Sequence, residues 1–242
     1  MSVRYGLKEV ANVIFFDIAT NKPAILFDTL KVSTIENESE SAEARGGQGN
    51  GRLLSWDYGR TATLNMQDAL LSDSSLAMLS GNAVKKNDVR VVGRETLTVI
   101  AGGVELKETP ITGTVTIFKS QNGIMTEEIA DITVEGKTIT ITGASEGDQV
   151  LAFYEYTVES GASQITFSAN AFPATYRVVG DTIVRGEDGL DRKMQFVIPR
   201  AKLQSAFSLT MDVENVSTFD FNLDVMVESG TGRLYDIIRL GN

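Results

Sequence analysis

Residues 191–227, DRKMQFVIPRAKLQSAFSLTMDVENVSTFDFNLDVMV, decide how the rest of the chain is read. Phe207, Leu209, Met211 and Val213 alternate with Ser208, Thr210 and Asp212. After a short polar turn, Phe219, Phe221, Leu223, Val225 and Val227 alternate with Asp220, Asn222 and Asp224. Side chains of a strand point to opposite faces in turn, so this period of two specifies strands with one buried and one wet face. With the run that opens the stretch, three strands are expected, in an antiparallel arrangement that leaves one face in water.

Working outward, VIFFDIATNKPAILFDTLKVSTI near the N-terminus reads as an apolar strand, a turn at Asn21, Lys22 and Pro23, and a second long strand. LLSWDYGRTATLNMQDALLS follows, in which Ala62, Leu64 and Met66 oppose Thr61, Thr63, Asn65 and Gln67. In DSSLAMLSG, Ser72 or Asp73 offers an N-cap, Leu76, Met78 and Leu79 an apolar stripe, and Gly81 a stop, which together predict a helix of about two turns. From Val89 the chain returns to strands. Glu135, Gly136 and Lys137 mark a hairpin turn. Tyr154 and Tyr156 share a strand face with Val150, Ala152 and Val158, and read as core or interface residues.

Those pieces and their order resemble the tail tube proteins of long-tailed bacteriophages. The likeness is carried by FVIPRAKLQSAFSLTMD, STFDFNLDVM, the N-terminal pair of strands, the helical signal, and FPATYRVVGDTIVRGEDG before the C-terminal strands. It implies a mainly β chain: an antiparallel β-sandwich of the tail-tube type over 1–112 and 161–242 with one short helix. Residues 113–160 read either as an inserted β subdomain or as further strands of the same sandwich. The resemblance further implies a virion structural protein that self-assembles into stacked hexameric rings forming the tail tube, the conduit for DNA ejection. Its expected partners are other copies of itself, the tape measure, the tail terminator and the baseplate or tip, with viral DNA passing through without specific binding. The alternative reading is a non-enzymatic β-sandwich module for adhesion or capsid decoration.

Two groups of residues acquire candidate roles. ENESESAEARGGQGNG, residues 36–51, has four glutamates followed by a glycine cluster and no apolar periodicity, so it reads as a mobile loop. It stands where the family carries a loop that reaches the next ring, which makes Glu36, Glu38, Glu40, Glu43 and Arg45 the candidate inter-ring residues. Thr61, Thr63, Asn65 and Gln67 form an uncharged polar strand face. With the strand ending near Ile35 they would make a long hairpin whose polar side lines the tube.

Composition excludes much else. The chain has 242 residues, no cysteine and no histidine, which removes disulfides, thiolate metal sites, imidazole bases and imidazole zinc sites. Its size allows roughly 70% of the unfolded surface to be buried. With 22 basic against 32 acidic residues the formal charge is −10, and no basic patch is present to grip phosphates. Asp17 interrupts the N-terminal apolar run, so neither a signal peptide nor a membrane span is expected. Synthesis in a host cytoplasm, assembly into a virion tail and no membrane partner are the expectation.

A paired-carboxylate site using Asp212, Asp220 and Asp224 is geometrically conceivable. Alternating strands routinely carry acids on their wet face, and the expectation is no enzyme and no cofactor. DVEN and GEDGLD lack the full spacing of a calcium loop, and residues 186–191 read better as a tight turn. The glycines at 46–51 have no GxxxxGK[ST] context.

Overall fold

The structure is a computed structural model that describes residues 4–214 and 216–241. It divides into two compact units, Met1–Ala83 with Ile165–Asn242, and Val84–Gln164. The second unit begins well before residue 113, so the strands between Val89 and Val158 belong to it and not to the sheet of the first unit.

In chain order the first unit opens with β1 (Tyr5–Leu7), β2 (Asn12–Asp17), β3 (Pro23–Phe27), β4 (Leu30–Gly46), β5 (Gly51–Asp68) and α1 (Asp73–Ser80). The second unit contributes β6 (Val89–Thr98), β7 (Gly103–Glu105), β8 (Thr116–Gln121), β9 (Ile124–Ile129), β10 (Ile132–Glu135), β11 (Thr138–Ile141) and β12 (Gln149–Val158). The chain then returns to the first unit with β13 (Thr175–Gly186), β14 (Asp191–Leu203), β15 (Phe219–Val225) and β16 (Asp236–Arg239).

The first unit is one antiparallel sheet with the path β3-β2-β13-β14-β15-β5-β4, to which β1 adds on β13 and β16 on β14. Its two end strands, β3 and β4, are joined in the chain by Asp28 and Thr29 alone. A two-residue link cannot span an open sheet of that width, so the sheet curls over and its ends meet, giving a sandwich-like layer pair. The expected long second strand is broken at this corner. There Thr29 Oγ1 donates to the buried carboxylate of Asp68 (2.5 Å), which also accepts from the Leu70 amide (3.3 Å). Across the fold, Phe27 of β3 meets Phe221 of β15 at 4.9 Å and Phe15 of β2 at 5.2 Å. Phe15, Leu64, Phe221 and Leu223 are fully buried, each worth about 1.5–3 kcal/mol of transfer free energy.

The helix forms as its sequence indicates. Ser72 caps it, its Oγ accepting from Ser75 N (3.1 Å) while Ser75 Oγ accepts from Ser72 N (3.0 Å). Met78 and Leu79 enter the core of the sheet, and Gly81 ends the helix at φ 70°.

The C-terminal stretch departs from expectation in one place. The strands at either end form, but residues 207–213 are outside any strand. Phe207 is anchored by stacking on Phe167 (5.1 Å), whereas Met211 and Val213 are 87% and 99% exposed. β14 and β15 pair directly from Leu203↔Leu223 onward, so the stretch that connects them lies outside the ladder between these two strands.

The second unit packs the sheet β6-β12-β8-β9 and the sheet β10-β11-β7 around Val99, Ile117, Ile139, Val150, Ala152 and Tyr154. Tyr154 is a core residue, as its strand face indicates, and Gly136 and Lys137 form the turn between the paired Glu135 and Thr138. The Tyr154 hydroxyl donates to Glu95 Oε1, which also accepts from Lys107 N (3.1 Å). Desolvation, reinforced by the bonded carboxylate, pushes the Tyr154 phenol up to about 12. At the two ends of this unit, Lys85 and Gln164 exchange two backbone hydrogen bonds (2.9 and 2.8 Å) as an isolated bridge.

Candidate functional site

The β4–β5 hairpin carries both groups of candidate residues. Residues 36–46 are strand and not a mobile loop. Glu36, Glu38 and Glu40 recur at the spacing of a polar strand face, and β5 supplies a paired partner along almost the whole length. Only residues 47–50 form the turn, where Gly47 (φ 81°), Gly49 (φ 86°) and Asn50 (φ 51°) take left-handed conformations.

A β-bulge divides the hairpin. Glu38 pairs with Thr61 and Glu40 with Tyr58, so Gly59 and Arg60 together oppose Ser39, and Gly59 adopts φ 63°. An extra residue reverses the in–out order of β5 beyond it. On the near side the even-numbered Ala62, Leu64 and Met66 point into the core. On the far side the even-numbered Leu54, Trp56 and Tyr58 continue the outer face.

Near the body, that outer face is a ladder of acids and amides. Thr63 lies between Glu36 and Asp224, Asn65 between Thr34 and Asn222, and Gln67 between Val32 and Asp220. Asn65 Nδ2 donates to Glu36 Oε2 (3.0 Å), Gln67 Nε2 to Asp220 Oδ1 (3.1 Å), and Gln204 Nε2 to Asp224 Oδ1 (2.8 Å). Thr61, Thr63, Asn65 and Gln67 therefore do share one polar face, as the alternation predicts. The sequence reading missed that neighbouring strands add Glu36, Glu38, Asp220 and Asp224 to it, because cross-strand register is a long-range property.

Beyond the bulge the hairpin becomes a two-stranded ribbon exposed on both faces. Ala44 pairs with Leu54, Ala42 with Trp56 and Glu40 with Tyr58, which sets Leu54, Trp56 and Tyr58 in one apolar row beside two alanines. Trp56 is 57% exposed. Isolated two-stranded ribbons are marginal in water, and a row of large apolar side chains on one is a surface left for a partner. The signal lay in the sequence at Leu54, Trp56 and Tyr58, spaced by two. At the ribbon's end Glu43 accepts from Arg45 (2.6 Å) and pairs with Arg52 (2.8 Å), leaving one net positive charge there.

The remaining acidic candidates resolve into local structure. Among the described residues no group of three acids could hold a metal ion. Residues 186–191 form the expected tight turn, with Gly186 N donating to Leu190 O (3.0 Å). Arg192 hydrogen-bonds Asp188 and holds its carboxyl down to about 2. Asp220 and Asp224 sit on the amide ladder. Of the DVEN motif, Asn215 lies outside the described residues. No described helix is long and apolar enough to cross a membrane.

A curled antiparallel sheet, a helix packed against it and a projecting ribbon with an uncovered apolar row make up the first unit. The chain matches the YomU/Tube protein family over residues 5–237 and belongs to that family. A search of curated proteins found no match.

Proposed function

We propose that this chain is a virion structural protein that assembles into stacked hexameric rings, and that the stack is the tail tube through which a phage delivers its DNA. The observation that carries the reading is the ribbon beyond Gly59, whose Leu54, Trp56 and Tyr58 are exposed in the single chain and need a neighbour. Membership of a family described by the word tube supports it, as does the resemblance of the sequence to tail tube proteins. The ribbon, including Glu40, Glu43 and Arg45, is the inter-ring element. Thr61, Thr63, Asn65 and Gln67, with Glu36 and Glu38 beside them, face the lumen.

An acid-and-amide lumen suits a conduit. Phosphates bound by lysine or arginine release counterions and are held, whereas a wall of carboxylates and neutral amides offers DNA nothing to grip. Neighbouring subunits within a ring cover the free edges of the sheet, which otherwise present unpaired backbone groups.

The test is direct. Purified protein, concentrated and imaged by negative stain, forms long hollow rods or rings with sixfold end views. Particles that stay monomeric at every concentration and salt tried would overturn the reading.

A further inference from the structure

The ribbon's apolar row needs a complement, and the same unit carries a second uncovered apolar element at the opposite end of the same strand. β15 runs antiparallel to β5, with Val225 against Ala62 and Phe219 against Asp68. The ribbon leaves from the Ala62 end. The segment that precedes Phe219 leaves from the Asp68 end, and it displays Leu209, Met211 and Val213 to solvent. Seven residues of strand separate the two ends, about 20 Å at 3.3 Å per residue.

The tip of the ribbon and the other segment also carry opposite charge, although Glu40 and Asp57 make the ribbon beyond Gly59 acidic as a whole. The ribbon ends in Arg45 and Arg52 around one glutamate. The other segment carries Asp212 and Glu214, and no lysine or arginine occurs between Lys202 and Arg233. Its apolar residues alternate as in a strand, although within one copy they join none.

We infer that the ribbon of one copy docks on the Leu209–Glu214 segment of the next copy, with Leu54, Trp56 and Tyr58 against Leu209, Met211 and Val213, and the arginines on the acidic rim. This rests on the tube reading and names the partner surface of its ring-to-ring contact. Complementary patches at opposite ends of one strand allow a heterologous contact that repeats along an axis. Apolar residues at the centre with an ion-paired rim is the usual anatomy of such an interface. Opposite charges at the rim fix register and favour the correct partner.

The absence of cysteine from the chain gives a clean test. The double variant Leu54→Cys with Val213→Cys, oxidised after assembly, is run on a non-reducing gel. The two positions lie at opposite ends of one subunit, so every disulfide between them joins different copies. A ladder extending beyond the dimer is expected, whereas each single variant stops at the dimer. A control pair, Leu54→Cys with Leu190→Cys, gives no ladder. A charge pair supplies the second readout. Arg52→Glu alone and Glu214→Lys alone each raise the critical assembly concentration about tenfold, and together they return it to within about threefold of the parent. Rods that form without the ladder, or charge reversals whose effects simply add, overturn this docking and leave the tube reading standing. Failure of the parent protein to assemble at all overturns both.

Discussion

Replacing Thr61 and Thr63 with lysine tests the polar face at two levels. On this face residues 36–38, 61–67 and 220–224 contain no lysine or arginine, and Lys202, which pairs with Asp224 from β14, has its ammonium on Pro173 O. A lysine at 63 lies between Glu36 and Asp224, and one at 61 lies opposite Glu38. Each cross-strand pair of opposite charges is worth about 0.2–1 kcal/mol, and the lower β propensity of lysine takes back up to about 0.5 kcal/mol at each site. Over three such pairs and two sites the net change lies between about −0.4 and about 3 kcal/mol in favour of the fold. For a domain of this size that is a change in Tm from about −2 °C to about +12 °C, read by circular dichroism. The same geometry sets the outcome for DNA. Two ammonium groups among the four carboxylates Glu36, Glu38, Asp220 and Asp224 leave the face acidic. Assemblies of this variant show no DNA binding by fluorescence anisotropy at physiological salt. Adding Glu36→Gln, Glu38→Gln and Asp224→Asn frees the lysines, and binding appears with a salt slope of about −2 for two phosphate contacts. A fall in Tm of the lysine variant by more than about 2 °C would refute the register of this face. DNA binding by that variant without the neutralising changes would refute the argument that its neighbouring acids set the electrostatics.

The other predictions concern the scaffold. Removing 84–164 and joining Ala83 to Ile165 through a short glycine linker leaves the first unit folded, because Asn82 Nδ2 already holds Thr166 O (2.7 Å) beside the cut; loss of cooperative thermal unfolding would count against two separable units. Tyr154→Phe leaves Glu95 with one backbone donor and costs the second unit about 1.5–3 kcal/mol in urea titration, since the lost bond is to a carboxylate. The raised Tyr154 pKa favours the neutral phenol in the fold, so its contribution is complete below pH 10, declines as pH rises towards 12, and is absent from the pH profile of Tyr154→Phe. Gly81→Ala costs at least about 2 kcal/mol, because φ is 70° and the new Cβ would stand 2.3 Å from Phe172 O; a thermal melt matching the parent would contradict that close approach.

Local chemistry made part of this molecule readable from sequence. The Ser72 cap, the Gly81 stop, the Gly136 turn and the alternation from Ala62 to Gln67 each depend on neighbours within a few residues, and each forms as read. Misreadings arose where a segment's partner lies far away in sequence or where the single chain supplies none. Residues 36–46 look like a mobile acidic loop because none of them is apolar enough to demand burial, yet β5 pairs them along nearly their whole length. Residues 207–213 present the reverse case. Their alternation codes for a strand, and within one copy they join none, since β14 and β15, which they connect, pair directly with each other. Period two records which side of a backbone is to be covered, without recording whether the cover belongs to the same chain. If the chain completes itself by association, as proposed, the ribbon and the Leu209–Glu214 segment are the places where sequence and single-chain structure should disagree, and the disulfide ladder tests whether they meet.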